Sequence, residues 1–441
     1  MDITEKSWLE CMHCSNVVPL YETRKFRCHC GGLYDVCHSF PKQNKVNVLL
    51  MTEFFDSRQI YNYGDSILFS SGVWRFHELI MPSLHEKEII SLGEGIIPFW
   101  PAGNNIRKWI GTDLDLWILP EGLTPTGSFK DFGGTVAISV AKKMGVKTVA
   151  CASTGDTSAM AAAYAAKAGI KCVVVLPKGR ITDVQLAQPL AHGAEVILIP
   201  GNFDKCMNVV LELAEAGRIF PINSINPTRI EGHQASVFLA TQFFGWQMPD
   251  VFVVPVGNGS NSSSIGKGMR LLRDLGFVKN IGKLIGVQSE AANPLARSWE
   301  LTQDEGVAHQ GRWKETYRAL DEIGETTATA ALIGNPVSWE KVMREINESR
   351  GAVLTASEKE LNEAVMVAGK DGHFVCPQTG MALAGLRQAV ERGFVKKGQR
   401  VVVISTATGL KFPNVPAQYG KHLIKETKTC ETEEIAQIIG V

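Results

Sequence analysis

The chain has no surplus of charge of either sign. Among its 441 residues Lys+Arg and Asp+Glu number 45 each. It therefore has no electrostatic footprint for nucleic acid or an anionic membrane, and neither is expected as a main partner. It also lacks any apolar run of membrane-span length; the longest are strand-sized, such as Val251 to Val256. The opening Met1-Asp2-Ile3-Thr4-Glu5-Lys6 has no apolar stretch, so no signal or transit peptide is expected. A disulfide framework is missing too. Five of the ten cysteines fall within Cys11 to Cys37, and others, such as Cys151 and Cys172, sit in apolar surroundings as buried free thiols do. A reducing, cytoplasmic setting is expected. With 45% hydrophobic and 20% charged residues the composition is that of a globular protein. The length calls for two or three domains.

What is present begins with a cysteine-rich segment. Cys11-Met12-His13-Cys14 and Cys28-His29-Cys30-Gly31-Gly32 place four thiols on two knuckles, a pattern able to hold tetrahedral zinc. The second pair, Cys28 and Cys30, is one residue tighter than a usual ribbon knuckle, and His13 or His29 is a possible substitute ligand. The alternative is a ribbon that has lost its metal. Residues 46 to about 110 are irregular, with helical pieces around Trp74 to Leu84.

A strand–helix alternation follows. Strands are expected at Leu116–Leu119, Val146–Ala152, Lys171–Leu176, Ala194–Ile199 and Arg218–Asn223, and again at Val251–Val256, Lys283–Gln288 and Arg400–Ser405. Helices are expected at Gly133–Lys143, Thr157–Ala168, Asp183–His192, Phe203–Ala216, Arg229–Phe244 and Ile265–Leu272. Such continuous apolar strands predict burial on both faces and hence parallel sheets, a doubly wound α/β protein. Ligands of such sheets bind at the turns beyond the carboxyl ends of the strands.

Five turns carry chemistry. Thr126-Gly127-Ser128-Phe129-Lys130-Asp131 sets a lysine at a strand-to-helix junction, where the helix dipole disfavours a cation. An amine fixed there is suited to a Schiff base with a cofactor aldehyde. Ser153-Thr154-Gly155-Asp156-Thr157-Ser158 opens a helix with hydroxyls and free amides, a cradle for a carboxylate, although Asp156 or Thr157 also serves as an ordinary cap. Gly257-Asn258-Gly259-Ser260-Asn261 follows a strand and precedes a helix, and its amides suit a phosphate. No Gly-Lys-Ser/Thr closes it, so a cofactor monophosphate fits better than a nucleoside triphosphate. Ser405-Thr406-Ala407-Thr408 offers a hydroxyl able to hydrogen-bond a ring nitrogen without protonating it. Asn223-Ser224-Ile225-Asn226-Pro227-Thr228-Arg229 again puts a cation at a helix start, either as a phosphate clamp or as a salt-bridge partner of Glu231 or Asp204.

With these motifs in this order, the chain resembles the threonine synthases, in their plant-type branch, from about Ser71 to Phe412. Gly334-Asn335-Pro336-Val337-Ser338, Phe374-Val375-Cys376-Pro377-Gln378-Thr379-Gly380 and Gly409-Leu410-Lys411-Phe412 add to the likeness. These are pyridoxal 5'-phosphate enzymes of fold type II, the tryptophan synthase β-like group. The resemblance implies that Lys130 carries the cofactor, that Asp156 contacts its phenolic oxygen, and that Gly257, Asn258, Gly259, Ser260 and Asn261 hold its phosphate. Thr406 would face the pyridine nitrogen. Ser153, Thr154 and Thr157 would bind substrate carboxylate, with Ser224, Asn226 and Arg229 near substrate phosphate. Three departures stand out. Thr408 replaces a usual His, Gln234 a usual Lys in Glu-Gly-Gln-Lys-Thr, and Ser260 a usual Gly.

The organisation expected is a ribbon-like module over 1–45, a large cofactor-binding α/β domain from 46–135 and 245–441, and a small α/β domain over 136–244. The implied reaction converts O-phosphohomoserine and water to threonine and phosphate, in a homodimer with a phosphorylated amino acid as its partner. The alternatives are a β- or γ-replacement enzyme on another phosphorylated amino acid such as O-phosphoserine, a threonine or serine dehydratase, or a catalytically dead regulatory paralogue.

Overall fold

Three sheets organise the chain in the computed structural model, which describes residues 7–40, 46–60, 66–153, 155–179, 183–304, 313–427 and 431–439. The first is small and antiparallel: β1 (Ser7–Cys11), β2 (Val17–Pro19) and β3 (Tyr34–His38), in the order β2-β1-β3. Two strands then precede the lysine turn, β4 (Trp100–Pro101) and β5 (Asp115–Pro120). Next come β6 (Thr148–Ala152), β7 (Lys171–Pro177), β8 (Glu195–Ile199) and β9 (Phe220–Pro221). The last four are β10 (Val251–Pro255), β11 (Lys283–Ser289), β12 (Ala352–Ala356) and β13 (Arg400–Ser405).

Strands β6 to β9 form a four-stranded parallel sheet in the order β8-β7-β6-β9. The others form a six-stranded sheet, β12-β11-β10-β13-β5-β4, parallel except for β4 against β5. The crossing strands β10 and β13 explain the choice. Their Val, Ile and Phe runs are wholly buried, which only a sheet covered on both faces permits. Edge strand β8 departs from that expectation and exposes Ile197 and Leu198.

The strand expected over Arg218–Asn223 is only Phe220–Pro221, and three expected helices differ. The helix after the lysine turn starts at Lys130 rather than Gly133. The Asp131 carboxylate accepts from Thr126 N and Oγ1 at 2.7 and 2.5 Å, folding the turn back onto the first helical residues. The helix expected over Arg229–Phe244 is two, Thr228–His233 and Ala235–Phe243. Gln234 N reaches both Ile230 O and Glu231 O, the tightened geometry of a helix end. The phosphate-turn helix begins earlier than expected, at Ser260, and runs to Asp274. No helix among the described residues is long and apolar enough to cross a membrane.

Candidate active site

The turns beyond β5, β6, β10 and β13 converge on one cleft. Lys130, Asp156, Gly257, Asn258, Gly259, Ser260, Asn261 and Thr406 all line it. Antiparallel contact between Ser128 and Ala407 stitches the lysine turn to the turn after β13. The backbone N–H of Phe129 donates to Thr406 O at 2.8 Å, so Thr406 is held beside Lys130. Burial, and after it the neighbouring Arg229, lowers the Lys130 amine to about 7. A lysine poised there exchanges a proton readily near neutrality.

The turn after β10 is a cradle built from backbone. Gly259 has φ +86°, a left-handed conformation that glycine adopts without strain. A Cβ on Gly257 would stand 2.9 Å from Ala330 O, and one on Gly259 2.6 Å from Val342 Cγ2. The helix from Ser260 thus aims its free N-terminal amides into the cleft. Beside them, both side-chain polar atoms of Asn261 are buried without a partner. Unpaired buried polar atoms are costly, so their persistence in one cleft marks a place for a polar ligand.

The turn after β6 meets the turn after β9. Asn223 pairs its side-chain amide with both N and O of Ala152, at 3.0 and 2.8 Å. That bond zips Ser153 toward the segment carrying Ser224 and Arg229. Ser153 Oγ accepts from Gly155 N at 3.3 Å, and Thr157 is buried in the first turn of the helix from Asp156. Thr154 lies outside the described residues. Asn226 is internally engaged. Its Nδ2 donates to Pro221 O and its Oδ1 accepts from Thr228 N and Oγ1, so it shapes the turn.

Arg229 is fully buried and has no ion pair among the described residues. Of the salt-bridge partners considered from sequence, Glu231 bonds Lys267 and His38 instead. Arg229 Nη1 donates to Ile222 O at 3.0 Å, and its Nε and Nη2 are unpaired. Those two nitrogens form the side-on edge that grips an oxyanion with two parallel bonds. Burial pulls the group down to about 10, leaving it charged at neutral pH.

Three further residues were not singled out individually from sequence. Lys411 donates to Asp156 Oδ1 at 2.9 Å. Gln378 lines the cleft with its Nε2 buried and unpaired. His233 packs on Phe129 at a ring-centroid distance of 5.0 Å, with both nitrogens buried and unpartnered. Burial first, then Arg229 and Lys130, holds it neutral. Lys411 and Gln378 stand in the motifs Gly409-Leu410-Lys411-Phe412 and Phe374–Gly380, so the signal was present in the stretch, if not at the residue. His233 stands next to Gln234, in the stretch where the chain departs from its likeness.

A family model described as pyridoxal-phosphate dependent enzyme matches residues 90–407. The chain belongs to the pyridoxal-phosphate dependent enzyme family. Within it, the threonine synthase of Methanocaldococcus jannaschii is 36% identical, covering 94% of this chain and 95% of its own length. Threonine synthase 2, chloroplastic, of Arabidopsis thaliana is 36% identical over 91% of this chain and 76% of its own. The crystal structure of threonine synthase from Escherichia coli superposes with a TM-score of 0.69, covering 97% of this chain and 93% of that one, at 18% identity. That last likeness is one of fold. The residues of the cleft fit pyridoxal phosphate. The glycine cradle that a Cβ would fill suits its phosphate, and Lys130 offers an amine neutral enough to bond its aldehyde.

Proposed function

We propose that this chain is a threonine synthase, converting O-phosphohomoserine and water to L-threonine and phosphate. The observation that carries the reading is the buried Arg229 with its side-on edge unpaired, beside Lys130 and apart from the glycine cradle. One anion site suits a cofactor phosphate; a second suits a phosphate on the substrate. A dehydratase acting on unphosphorylated serine or threonine has no use for the second.

Pyridoxal phosphate, when bound, supplies an electron-withdrawing ring that stabilises carbanion character next to the substrate's α-carbon. The chain's residues do the rest. The amides of Gly257–Asn261 and the Asn261 side chain would hold the cofactor phosphate. Thr406, a hydroxyl that does not protonate, would stand at the ring nitrogen, and Asp156 would contact the ring's phenolic oxygen. Lys130 Nζ takes a proton from the substrate's α-carbon; a second proton leaves the β-carbon so that phosphate can depart from the γ-carbon, and protons are later returned to the γ- and α-carbons. Arg229 and Ser224 grip the substrate phosphate as it leaves, while Ser153, Thr154 and Thr157 hold the carboxylate. Water then adds at the β-carbon. Ser153 and Asp156 ride on the smaller sheet, and Lys130 and the glycine cradle on the larger, consistent with a small domain over 136–244 and a large one from 46–135 and 245–441. A reducing, cytoplasmic compartment completes the proposal, on the strength of nine cysteines without a disulfide among the described residues, and a homodimer is carried into it from the resemblance.

The test is phosphate release from O-phosphohomoserine set beside O-phosphoserine, with threonine measured as product. Turnover of O-phosphohomoserine to threonine supports the reading. Preferential turnover of O-phosphoserine, or deamination of free threonine at comparable rate, replaces it.

A further inference from the structure

The cysteine-rich segment holds a second built site, and its position in the fold gives it a task. The Sγ atoms of Cys11, Cys14, Cys28 and Cys30 lie within 4.8 Å of one another. Cys11 and Cys30 are 3.5 Å apart and Cys14 and Cys28 3.6 Å. Tetrahedral zinc with thiolates at about 2.3 Å requires sulfur–sulfur edges of about 3.8 Å. The spacing is therefore that of a metal cage and well beyond a disulfide bond. The one-residue contraction of the second knuckle is absorbed by glycine. Gly31 has φ +86°, and a Cβ on Gly32 would stand 2.8 Å from Cys11 Sγ. His13 lies outside the four-thiol cluster, and its Nε2 meets Glu340 Oε2 at 2.6 Å. Strands of five, three and five residues over a few buried side chains make a module too small to hold itself without a staple.

The same module grips the segment that carries Arg229 at three points. Arg24 Nη1 donates to Gly217 O at 2.7 Å. Phe26 packs edge-on against Phe220 of β9, with centroids 5.4 Å apart. His38 Nε2 meets Glu231 Oε2 at 3.3 Å. A fourth contact crosses to the cradle helix: Lys267 Nζ donates to Val36 O at 2.7 Å and to Glu231 Oε1 at 2.5 Å. The remaining edge is anchored by Asp35, which pairs with Lys341 at 2.5 Å and Arg344 at 2.9 Å.

We propose that Cys11, Cys14, Cys28 and Cys30 bind one zinc ion, and that the module it folds clamps residues 217–231 and so positions Arg229. The statement about position is independent of substrate; its kinetic consequence rests on the reading of Arg229 as a phosphate ligand.

The experiment uses the full-length holoenzyme. Elemental analysis should find about one zinc per chain, released when an organomercurial titrates the thiols. Cys14→Ser with Cys30→Ser should lose the zinc and keep the cofactor absorbance. Hydrogen-exchange mass spectrometry should then show faster exchange across 217–231, at least tenfold, with the cradle helix less affected. KM for the phosphorylated substrate should rise more than tenfold with kcat changed less than threefold. His38→Ala should keep the zinc and reproduce a smaller KM rise, about threefold. Iron in place of zinc, or no metal from zinc-supplemented cells, overturns the metal assignment. Zinc loss with unchanged exchange at 217–231 overturns the clamp. Faster exchange with unchanged KM leaves the clamp standing and counts against the phosphate role of Arg229. Should the double variant not fold, mercurial release from the wild-type enzyme supplies the zinc-free form for the same readouts.

Discussion

Lys411 Nζ lies 2.9 Å from Asp156 Oδ1, joining the turn after β13 of the larger sheet to the first helical residue after β6 of the smaller one. Both side chains are largely buried, at 15% and 10% exposure, so the pair works in a low-dielectric setting. It also offsets part of the positive field that Lys130, Arg229 and Lys411 raise around the cleft.

That pair gives the first prediction. Lys411→Met should leave Asp156 with its charge uncompensated next to the cofactor ring. The absorbance maximum of the bound cofactor should shift. kcat/KM should fall by about 10- to 150-fold, the worth of one charge-assisted hydrogen bond of about 1.5–3 kcal/mol. Unchanged spectrum and kinetics would show that Asp156 is oriented without Lys411.

The pair also shows how far the sequence could be read. Buried strands announce themselves, because a valine-rich run such as Val251–Pro255 has no other place to go. The turns announce themselves because Gly257-Asn258-Gly259 and Ser153–Ser158 follow such runs. The lysine at a helix start was legible for the same reason: the dipole opposes it, so something else must hold it. What sequence does not carry is pairing across the fold. Lys411 and Asp156 are 255 residues apart, and no local pattern predicts their contact. Strand β12, Ala352–Ala356, is short and flanked by helices, and its pairing with β11 reveals it. Asn226, which the resemblance places near substrate phosphate, engages both ends of its side chain within its own turn.

A second prediction concerns pH. Lys130 is lowered from 10.5 to about 7, by burial and then by Arg229, so its amine is neutral above about 7. The rate at which cofactor-free enzyme takes up pyridoxal phosphate should rise with pH about a midpoint near 7 and level off above it, where an ordinary lysine would go on rising toward 10.5. Arg229→Ala should move the midpoint upward. Lys130→Ala should abolish turnover, and borohydride should fix the cofactor on Lys130 in the wild type. Stability follows the same sign. Between about 7 and 10.5 the unfolded chain binds the proton that the folded chain has lost, so the cofactor-free wild type should gain stability with rising pH relative to Lys130→Ala. A flat difference between the two across that window would refute the buried neutral amine.

The cradle makes a third prediction. Gly257→Ala drives a methyl to 2.9 Å from Ala330 O, and Gly259→Ala places a side chain at φ +86° against Val342. Strain of about 1–3 kcal/mol should appear in cofactor affinity, raising Kd by about 5- to 150-fold. Activity should return at saturating pyridoxal phosphate, because the reacting groups stand elsewhere. A loss of kcat that added cofactor does not restore would move these glycines from the phosphate cradle into the substrate site.

The fourth prediction separates the two anion sites. Arg229 follows β9 of the smaller sheet, whereas the glycine cradle follows β10 of the larger, and of these two sites Arg229 alone offers a free bidentate edge among the described residues. Arg229→Ala should bind pyridoxal phosphate with near wild-type affinity and the usual absorbance. Its kcat/KM on phosphorylated substrate should drop about 30- to 1000-fold, the loss of about 2–4 kcal/mol of charged, paired hydrogen bonding in the transition state. Any weak activity on unphosphorylated serine or threonine should survive, since those substrates never used the clamp. Arg229→Lys should recover little, because an ammonium cannot present two parallel donors from a side chain already committed to Ile222 O. Equal losses on both kinds of substrate would make the arginine a structural cation, and loss of the cofactor would place it in the cradle instead. Only selective loss on the phosphorylated substrate is consistent with a buried guanidinium whose missing partner arrives with the substrate.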